Sequence, residues 1–188
     1  MAKVLAEIDN ELATWIAAQP LFFVASAPLG GEGHINLSPR GLDSLRVLGP
    51  HQVAFYDLTG SGNETAAHLA ENGRITIMFC AFEGAPRILR LYGRGDVVRP
   101  DDADWPGLCQ HFDNGLPQAR QIIRIAVSRV QTSCGYGVPL MALQSPRDDL
   151  INWSEKKGAE GLSDYQRRNN HHSIDGLPAP GIRPIDKT

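Results

Sequence analysis

Short strand-like runs follow one another closely along this chain, with few helical segments between them. Glycine- and proline-containing turns separate the runs, and each run is either apolar throughout or alternates apolar with polar residues. The six runs span residues 21–27, 34–38, 52–58, 74–82, 87–98 and 120–132. This pattern predicts a mainly β, α+β protein whose centre is a six-stranded antiparallel β-barrel with flanking helices.

Two glycines in the run 87–98 indicate where the predicted sheet bends. Leu89 and Leu91 lie on one face of this strand, and Gly93 and Gly95 continue that face. A glycine inside a strand suits a sharp bend of a small barrel. No third glycine and no helix follow at the spacing of a dinucleotide-binding motif, so we do not assign one here.

Helices are predicted at both ends of the chain and after the third strand. Residues 2–18 carry apolar side chains at helical spacing, and residues 66–71 form a short second helix. A C-terminal helix is predicted to start with Ser145 as its N-cap, and residues 163–168 form a further helical stretch. The connection 42–51 reads as a loop or a further short strand.

Composition excludes several classes of protein. The chain has 188 residues, of which 42% are hydrophobic and 21% are charged, as is typical of a globular protein. A net charge of -3 and a pI near 6.0 do not favour binding to nucleic acid or to a membrane surface. No apolar segment reaches the length that spans a bilayer, and no signal peptide is predicted.

Cysteine and histidine spacing predicts no metal site. Cys80, Cys109 and Cys134 form no CxxC pair, and this odd count suggests reduced thiols in the cytoplasm. The adjacent His171 and His172 do not converge on one metal ion, and no third ligand lies at useful spacing.

The stretch 34–72 carries the candidate binding site. It reads strand, turn, strand, glycine-rich loop and helix, with residues 59–65 (T-G-S-G-N-E-T) opening the helix. Glycines allow a ligand to approach the backbone, and a helix start leaves N–H groups without intrahelical partners. Together they favour an anion, most often a phosphate, and Arg40 on the neighbouring turn could add a positive charge.

The same residues also fit a plainer interpretation. Gly60, Ser61, Gly62 and Asn63 make an ordinary strand-to-helix turn in which Ser61 or Asn63 caps the helix. No lysine follows the glycines as in a nucleoside-triphosphate loop, so that class of site is excluded.

The region of about residues 19–98 resembles the FMN-binding split barrels related to pyridoxamine 5′-phosphate oxidase. The resemblance rests first on residues 36–41 (N-L-S-P-R-G), which look like the "N-x-S-P-K/R-G" turn of that family. Residues 55–57 (F-Y-D) and 62–65 (G-N-E-T) follow, and then residues 68–74 (H-L-A-E-N-G-R). Residues 90–95 (R-L-Y-G-R-G) look like the family's "R-x-x-G-x-A/G" strand.

The resemblance implies a homodimer with FMN at the subunit interface. Residues 1–140 would form the split-barrel cofactor-binding domain, and residues 141–188 a helical extension with an irregular tail, packed on the same domain or on the dimer partner. Ser38 and Arg40 would lie near the phosphate or ribityl chain, and Asn36 and Tyr56 near the flavin ring. The phosphate loop would comprise Ser61, Gly62, Asn63 and Thr65.

Departures from the oxidase itself argue against synthesis of pyridoxal phosphate. Those oxidases usually have Ser-Arg-Lys where this chain has Ser61, Gly62 and Asn63, so two positive charges are missing. They usually have Arg-Gln where this chain has Arg87 and Ile88, and they carry a C-terminal Trp and Arg set that is not found here.

The resulting functional prediction is an FMN-dependent oxidoreductase of this superfamily that acts on a small molecule. The flavin would carry the redox chemistry, so no catalytic residue is assigned, and Cys134 and Tyr136 receive no role. Two alternatives stay open: a flavin- or heme-binding protein without turnover (a carrier, sensor or stress protein), and a reductase that uses the deazaflavin cofactor (F420).

Overall fold

Residues 2–112 and 116–185 are described by a computed structural model, and they build one antiparallel sheet of eight strands. Residues 1 and 113–115 of the predicted barrel domain (1–140) lie outside the described residues. So do residues 186–188 of the predicted C-terminal extension (141–188). The strands are β1 (Lys3–Leu5), β2 (Phe22–Ser26), β3 (Asn36–Arg40), β4 (Leu45–Gly49), β5 (Gln52–Asp57), β6 (Arg74–Cys80), β7 (Ile88–Val98) and β8 (Gln121–Ser133). The predicted class is confirmed, with two more strands than the six predicted.

The sheet runs in the order β3-β2-β6-β7-β8-β5-β4, and β1 pairs with the far end of β8. The long strand β8 organises this arrangement. It pairs with all of β7 along one edge, with β5 along the first half of the other edge, and with β1 near its end. The hairpin β2–β3 places Asn36 opposite Ser26 and Arg40 opposite Phe22. Strands β3 and β4 are therefore the two outermost strands of the curled sheet.

The α-helices of the described residues are α1 (Asn10–Ala17), α2 (Glu64–Asn72), α3 (Trp105–Cys109) and α4 (Asp149–Asn169). The prediction of one helix over residues 2–18 is wrong at its start. The side chain of Asp9 caps α1 by accepting the Leu12 N–H at 2.8 Å, and residues 3–5 pair with β8 instead. The local cap and the available sheet edge together outweigh the apolar periodicity that suggested a longer helix.

The C-terminal helix also differs from its prediction. It begins at Asp149, so Ser145 does not cap it, and the residue at the N-cap position is Asp148. Gly158 has a φ of 65° inside the helix and interrupts its regular geometry. The predicted helical stretch 163–168 forms the part of α4 that follows this break.

A bulge in β7 bends the sheet where the glycines predicted it. The register with β8 shifts between Tyr92 and Gly93. A Cβ on Gly93 would clash with the backbone oxygen of Ala126, and one on Gly95 would lie 3.0 Å from a methyl carbon of Leu69. Neither position leaves ordinary room for a side chain: Gly93 lets β7 approach β8 closely, and Gly95 lets Leu69 of α2 pack against β7.

Both faces of β5 are buried, and they belong to different hydrophobic clusters. Val53 and Phe55 join the main core inside the curled sheet. Ala54 and Tyr56 face a second cluster that α3 and the segment after it cover. Asp57, at the end of this strand, is only 1% exposed, so a carboxylate lies at the boundary between the apolar core and the loop that follows.

Candidate functional site

A cleft of about 480 Å³ lies between strand β3 and the start of helix α2. Every predicted site residue except Tyr56 lines it. The lining residues are Asn36, Ser38, Pro39, Arg40, Gly60, Ser61, Gly62, Asn63, Glu64, Thr65, Arg120 and Ile174. The hairpin β2–β3 supplies one wall, and the glycine-rich loop with the first turn of α2 supplies the opposite wall.

Hydrogen bonds between side chains link the two walls. The hydroxyl of Ser38 donates to Oδ1 of Asn36 at 2.9 Å, and Nδ2 of Asn36 donates to Oγ1 of Thr65 at 3.1 Å. Below them, Oγ of Ser26 lies 3.0 Å from Nδ1 of His68, a histidine without solvent exposure. The side chains of Asn36 and Thr65 are therefore held in place before any ligand binds.

The buried carboxylate of Asp57 forms ion pairs with two arginines of the site. Nη1 of Arg40 lies 2.7 Å from Oδ1 of Asp57, and Nη2 of Arg120 lies 2.8 Å from Oδ2. Nε2 of Gln121 donates to the same Oδ2 at 2.7 Å. These three residues satisfy a charge that would otherwise be costly to bury.

The carboxylate of Asp57 is ionised at neutral pH. Burial by itself raises the pKa of Asp57, but the charges of Arg120 and Arg40 and the hydrogen bonds from Arg120 and Gln121 outweigh this effect, and the pKa lies below its ordinary value. Two guanidinium groups share this one carboxylate, so the cluster keeps one net positive charge beside the cleft. Glu64 also lines the cleft, and its carboxylate accepts the Ile174 N–H at 3.0 Å.

The first turn of α2 has free N–H donors. The first intrahelical bond runs from the Ala67 N–H to the Asn63 carbonyl at 3.2 Å, and the N–H groups of Glu64, Thr65 and Ala66 have no protein acceptor in the described chain. Asn63 occupies the N-cap position, yet its side chain makes no cap bond. Unsatisfied donors at a helix start favour an anion.

The side chain of Asn63 does not face the cleft as predicted. It is 2% exposed, its Nδ2 donates to the Asn170 carbonyl at 3.1 Å, and its Oδ1 accepts from Nε2 of Gln121 at 2.8 Å. Both ends of this amide bind inside the protein and the residue is almost wholly buried, so the backbone of Asn63 is the part that is available to a ligand. The alternative prediction that its side chain caps the helix is wrong as well.

Tyr56 lies outside the cleft, against the prediction. Its hydroxyl accepts the Ala119 N–H at 3.0 Å, and its ring packs against Phe112 and Trp105, with ring centroids 5.3 and 6.4 Å away. Burial raises the pKa of this hydroxyl. The strand register explains the error, because the side chain before buried Asp57 points to the second hydrophobic cluster.

Arg120, Gln121 and Asn170, whose side chains bind the residues of the cleft, were not predicted from the sequence. Arg120 and Gln121 precede the apolar run of β8. Two polar residues at the start of a long buried strand are the sequence feature that could have indicated their role. Asn170, which is fully buried, donates from Nδ2 to the Gly60 carbonyl at 3.1 Å. No local pattern marks it, because it lies 110 residues from its acceptor in the chain.

A sequence model of the pyridoxamine 5′-phosphate oxidase family matches residues 8–134, which include both walls of the cleft except Ile174. The chain belongs to this family. A relative in it, the pyridoxamine 5′-phosphate oxidase family protein ustO of Aspergillus flavus, is 42% identical over 187 residues. That alignment covers 91% of this chain and 75% of the fungal protein.

Solved structures of the family's fold resemble the barrel. HupZ of Group A Streptococcus superposes with a TM-score of 0.54 at 21% identity, covering 65% of this chain and 91% of that protein. A putative pyridoxamine 5′-phosphate oxidase of Lactobacillus delbrueckii gives a TM-score of 0.51 at 15% identity, covering 68% and 98%. The split-barrel fold predicted from the sequence is therefore confirmed, and these likenesses concern the fold alone.

Within residues 2–112 and 116–185, no group of three His, Cys, Asp or Glu residues is arranged to hold a metal ion. In the same residues, no helix combines the length and apolar character needed to cross a bilayer. Cys134 is exposed, and a backbone hydrogen bond at Tyr136 lowers the pKa of its thiol.

Proposed function

We propose that this protein is an FMN-dependent oxidoreductase that acts on a small molecule, with the flavin phosphate bound in the cleft between β3 and α2. The observation that carries the proposal is the convergence of donors there. Arg40, the hydroxyl of Ser61 and the unbonded N–H groups of Glu64 and Thr65 all belong to this one cleft. A phosphate ester is the ligand group that such a donor set binds best.

Arg40 is anchored at one end and keeps a donor without a protein acceptor among the described residues. Nε of Arg40 is buried and has no protein acceptor within the described residues, while its Nη1 is anchored by Asp57. A side chain held at one end with unused donor capacity loses little conformational entropy when it binds an anion. The open space beside Gly60 leaves room for the ligand to approach the backbone.

Bound flavin would supply hydride and electron transfer, while the chain supplies binding and orientation. Ser38 and Asn36 line the cleft on the β3 side, where Ser38 would contact the polar ribityl chain and Asn36 would lie near the flavin ring. The charges that the oxidases carry in the phosphate loop are missing at Gly62 and Asn63, so we do not propose formation of pyridoxal phosphate.

We further propose that the protein is a cytoplasmic homodimer with the flavin at the subunit interface. Exposed apolar side chains support this arrangement: Ile174, which lines the cleft, is 72% exposed, and Ile35 and Leu37, which flank Asn36 in sequence, are 77% and 63% exposed. A flavin ring and a second subunit would cover these side chains. Three cysteines that form no disulfide are consistent with a reducing compartment.

Flavin binding without turnover is the second candidate. The described residues that line the cleft include no histidine, cysteine or tyrosine that could exchange a proton with a substrate. They also include no histidine, cysteine, methionine or tyrosine that could bind heme iron, so this cleft favours flavin over heme.

An absorbance spectrum of the purified protein, followed by heat release and mass analysis of any chromophore, tests the proposal. We expect flavin bands and released FMN, and we expect NADH or NADPH to bleach the bound flavin in oxygen-free solution. Bound FMN that neither donor reduces would favour binding without turnover. A Soret band, or a colourless protein that takes up no added FMN, would contradict the proposal.

A further inference from the structure

The glycine-rich loop turns three successive carbonyl groups toward the protein interior. Nδ2 of Asn170 lies 3.1 Å from the Gly60 oxygen and 3.4 Å from the Ser61 oxygen. Nη1 of Arg120 donates to the Gly62 oxygen at 3.0 Å. The direction of each of these peptide groups is therefore set from the side of the loop that faces away from solvent.

The direction of these carbonyl groups also sets the direction of the N–H groups that follow them. In a trans peptide the C=O bond and the following N–H bond point in opposite directions. The N–H groups of Ser61, Gly62 and Asn63 therefore point away from Asn170 and Arg120. None of the three has a protein acceptor in the described chain. Successive backbone N–H groups on one side of a loop form an anion-binding concavity.

Asn170 is itself rigidly held at the end of helix α4. It has no solvent exposure, its Oδ1 accepts from Nη1 of Arg120 at 2.8 Å, and its backbone carbonyl accepts from Nδ2 of Asn63 at 3.1 Å. Gln166, one turn earlier, donates to Oγ1 of Thr59 at 2.8 Å. The end of α4 thus contacts the loop at Thr59, Gly60, Ser61 and Asn63, although the match to the family's sequence model ends at residue 134.

We propose that Asn170 is a positioning residue that orients the loop's peptide groups for the phosphate of the flavin. This inference rests on the proposed function. An amide side chain suits the task because it donates to the Gly60 and Ser61 carbonyls while it accepts from Arg120. The C-terminal extension thereby forms part of the cofactor site, through the backbone of the loop and without touching the ligand.

The first test compares Asn170→Asp with Asn169→Asp. Aspartate keeps an acceptor for Arg120 but cannot donate to the loop carbonyls, whereas the exposed Asn169 donates to the Tyr165 carbonyl of its own helix. Dissociation constants of the full-length proteins for FMN and for riboflavin are measured by flavin fluorescence. We expect Asn170→Asp to weaken FMN binding about tenfold and riboflavin binding less than about twofold, and the control to change neither.

The comparison with riboflavin separates positioning from a general structural role. Equal loss of FMN and riboflavin affinity, or unchanged FMN affinity, would overturn the inference. Asn170→Leu, which adds no charge, should show the same selective loss; if only the aspartate variant shows it, repulsion of the phosphate explains the result. The wild-type protein is titrated first. If it does not bind FMN, that result contradicts the proposed function itself.

A measurement on the wild-type protein covers the case in which the variants do not fold. Inorganic phosphate is titrated into ¹⁵N-labelled protein, and the amide resonances of the loop are followed. We expect the amides of Ser61, Gly62 and Asn63 to shift together and to saturate. Shifts confined to the first turn of α2, or no shifts in the loop, would refute the orientation that we assign to these peptide groups.

Discussion

Nη2 of Arg120 lies 2.8 Å from Oδ2 of Asp57, and each side chain is 1% exposed. This pair joins the end of β5 to the start of β8, directly beneath the candidate phosphate cleft. Arg40 binds the other oxygen of the same carboxylate from β3. Three strands therefore meet at one buried charge, and the fold and the candidate site depend on the same carboxylate.

Replacement of Asp57 by asparagine should destabilise the protein strongly. The variant keeps the shape of the side chain but leaves two guanidinium groups beside a neutral amide, one of them fully buried. Removal of one partner of a buried ion pair costs about 3 to 5 kcal/mol. Urea denaturation followed by circular dichroism measures the change in the free energy of unfolding.

Asp96→Asn is the matched control for that experiment. Asp96 pairs with Arg124 at 2.8 Å, but it is 53% exposed, and exposed ion pairs contribute about 0 to 1 kcal/mol. If the two variants lost similar free energy, the buried cluster would not have the structural role that we assign to it.

Replacement of Arg40 by glutamine should weaken FMN binding about tenfold to a hundredfold. The change removes a charged donor from the cleft, and hydrogen bonds that involve charged groups contribute about 1.5 to 3 kcal/mol. Arg129→Gln is the control, since this arginine lies on β8 and its Nε donates to Gln131. Equal FMN affinities of the two variants in a fluorescence titration would remove Arg40 from the site.

Local sequence patterns sufficed for six of the eight strands and for part of the cleft. Alternating apolar residues indicated the strands, and the glycines at 93 and 95 indicated the bend, because both signals act within a few residues. Arg40 could be placed beside the glycine-rich loop because β3 and the loop belong to one short stretch of chain, whereas the resemblance to the family added Ser38 and Ser61. The resemblance to a family added the expected fold, which the sequence match over residues 8–134 then supported.

The residues that were missed or wrongly placed are positioned by contacts between distant parts of the chain. Asn170 and Arg120 meet the loop across 110 and 58 residues, so no periodicity reveals them. Asn63 was misassigned because its side chain could cap the helix locally, yet bonds to Gln121 and Asn170 hold it inside the protein. The family motif includes Tyr56, but the strand register turns it away from the cleft.

Gly93→Ala should destabilise the barrel. A Cβ at this position would clash with the Ala126 oxygen of the neighbouring strand, so β7 and β8 would have to separate at the bulge. Overpacking of this kind costs about 1 to 3 kcal/mol. Gly49→Ala is the control because a Cβ there meets no atom within 4 Å. Thermal melts should show a lower midpoint for Gly93→Ala only; equal midpoints would show that the bulge adjusts freely.

The contact between His34 and Asp175 should make attachment of the C-terminal tail dependent on pH. Nδ1 of His34 lies 2.6 Å from Oδ1 of Asp175, whose other oxygen accepts the His34 N–H at 2.8 Å. This hydrogen bond and the negative charge raise the pKa of His34, and the same contact lowers the pKa of Asp175. The stabilising effect is complete below the ordinary histidine pKa of about 6.5 and is lost as pH rises through the higher folded value.

The difference in melting temperature between wild type and Asp175→Asn measures this effect. We expect the difference to be largest near pH 5.5 and to shrink toward pH 8.5, and we expect the NMR titration of His34 to move to lower pH in the variant. Asp164→Asn removes an exposed carboxylate of α4 and serves as the control. A difference that stays constant across this range would show that the charge on His34 does not contribute to holding the tail against the β2–β3 hairpin.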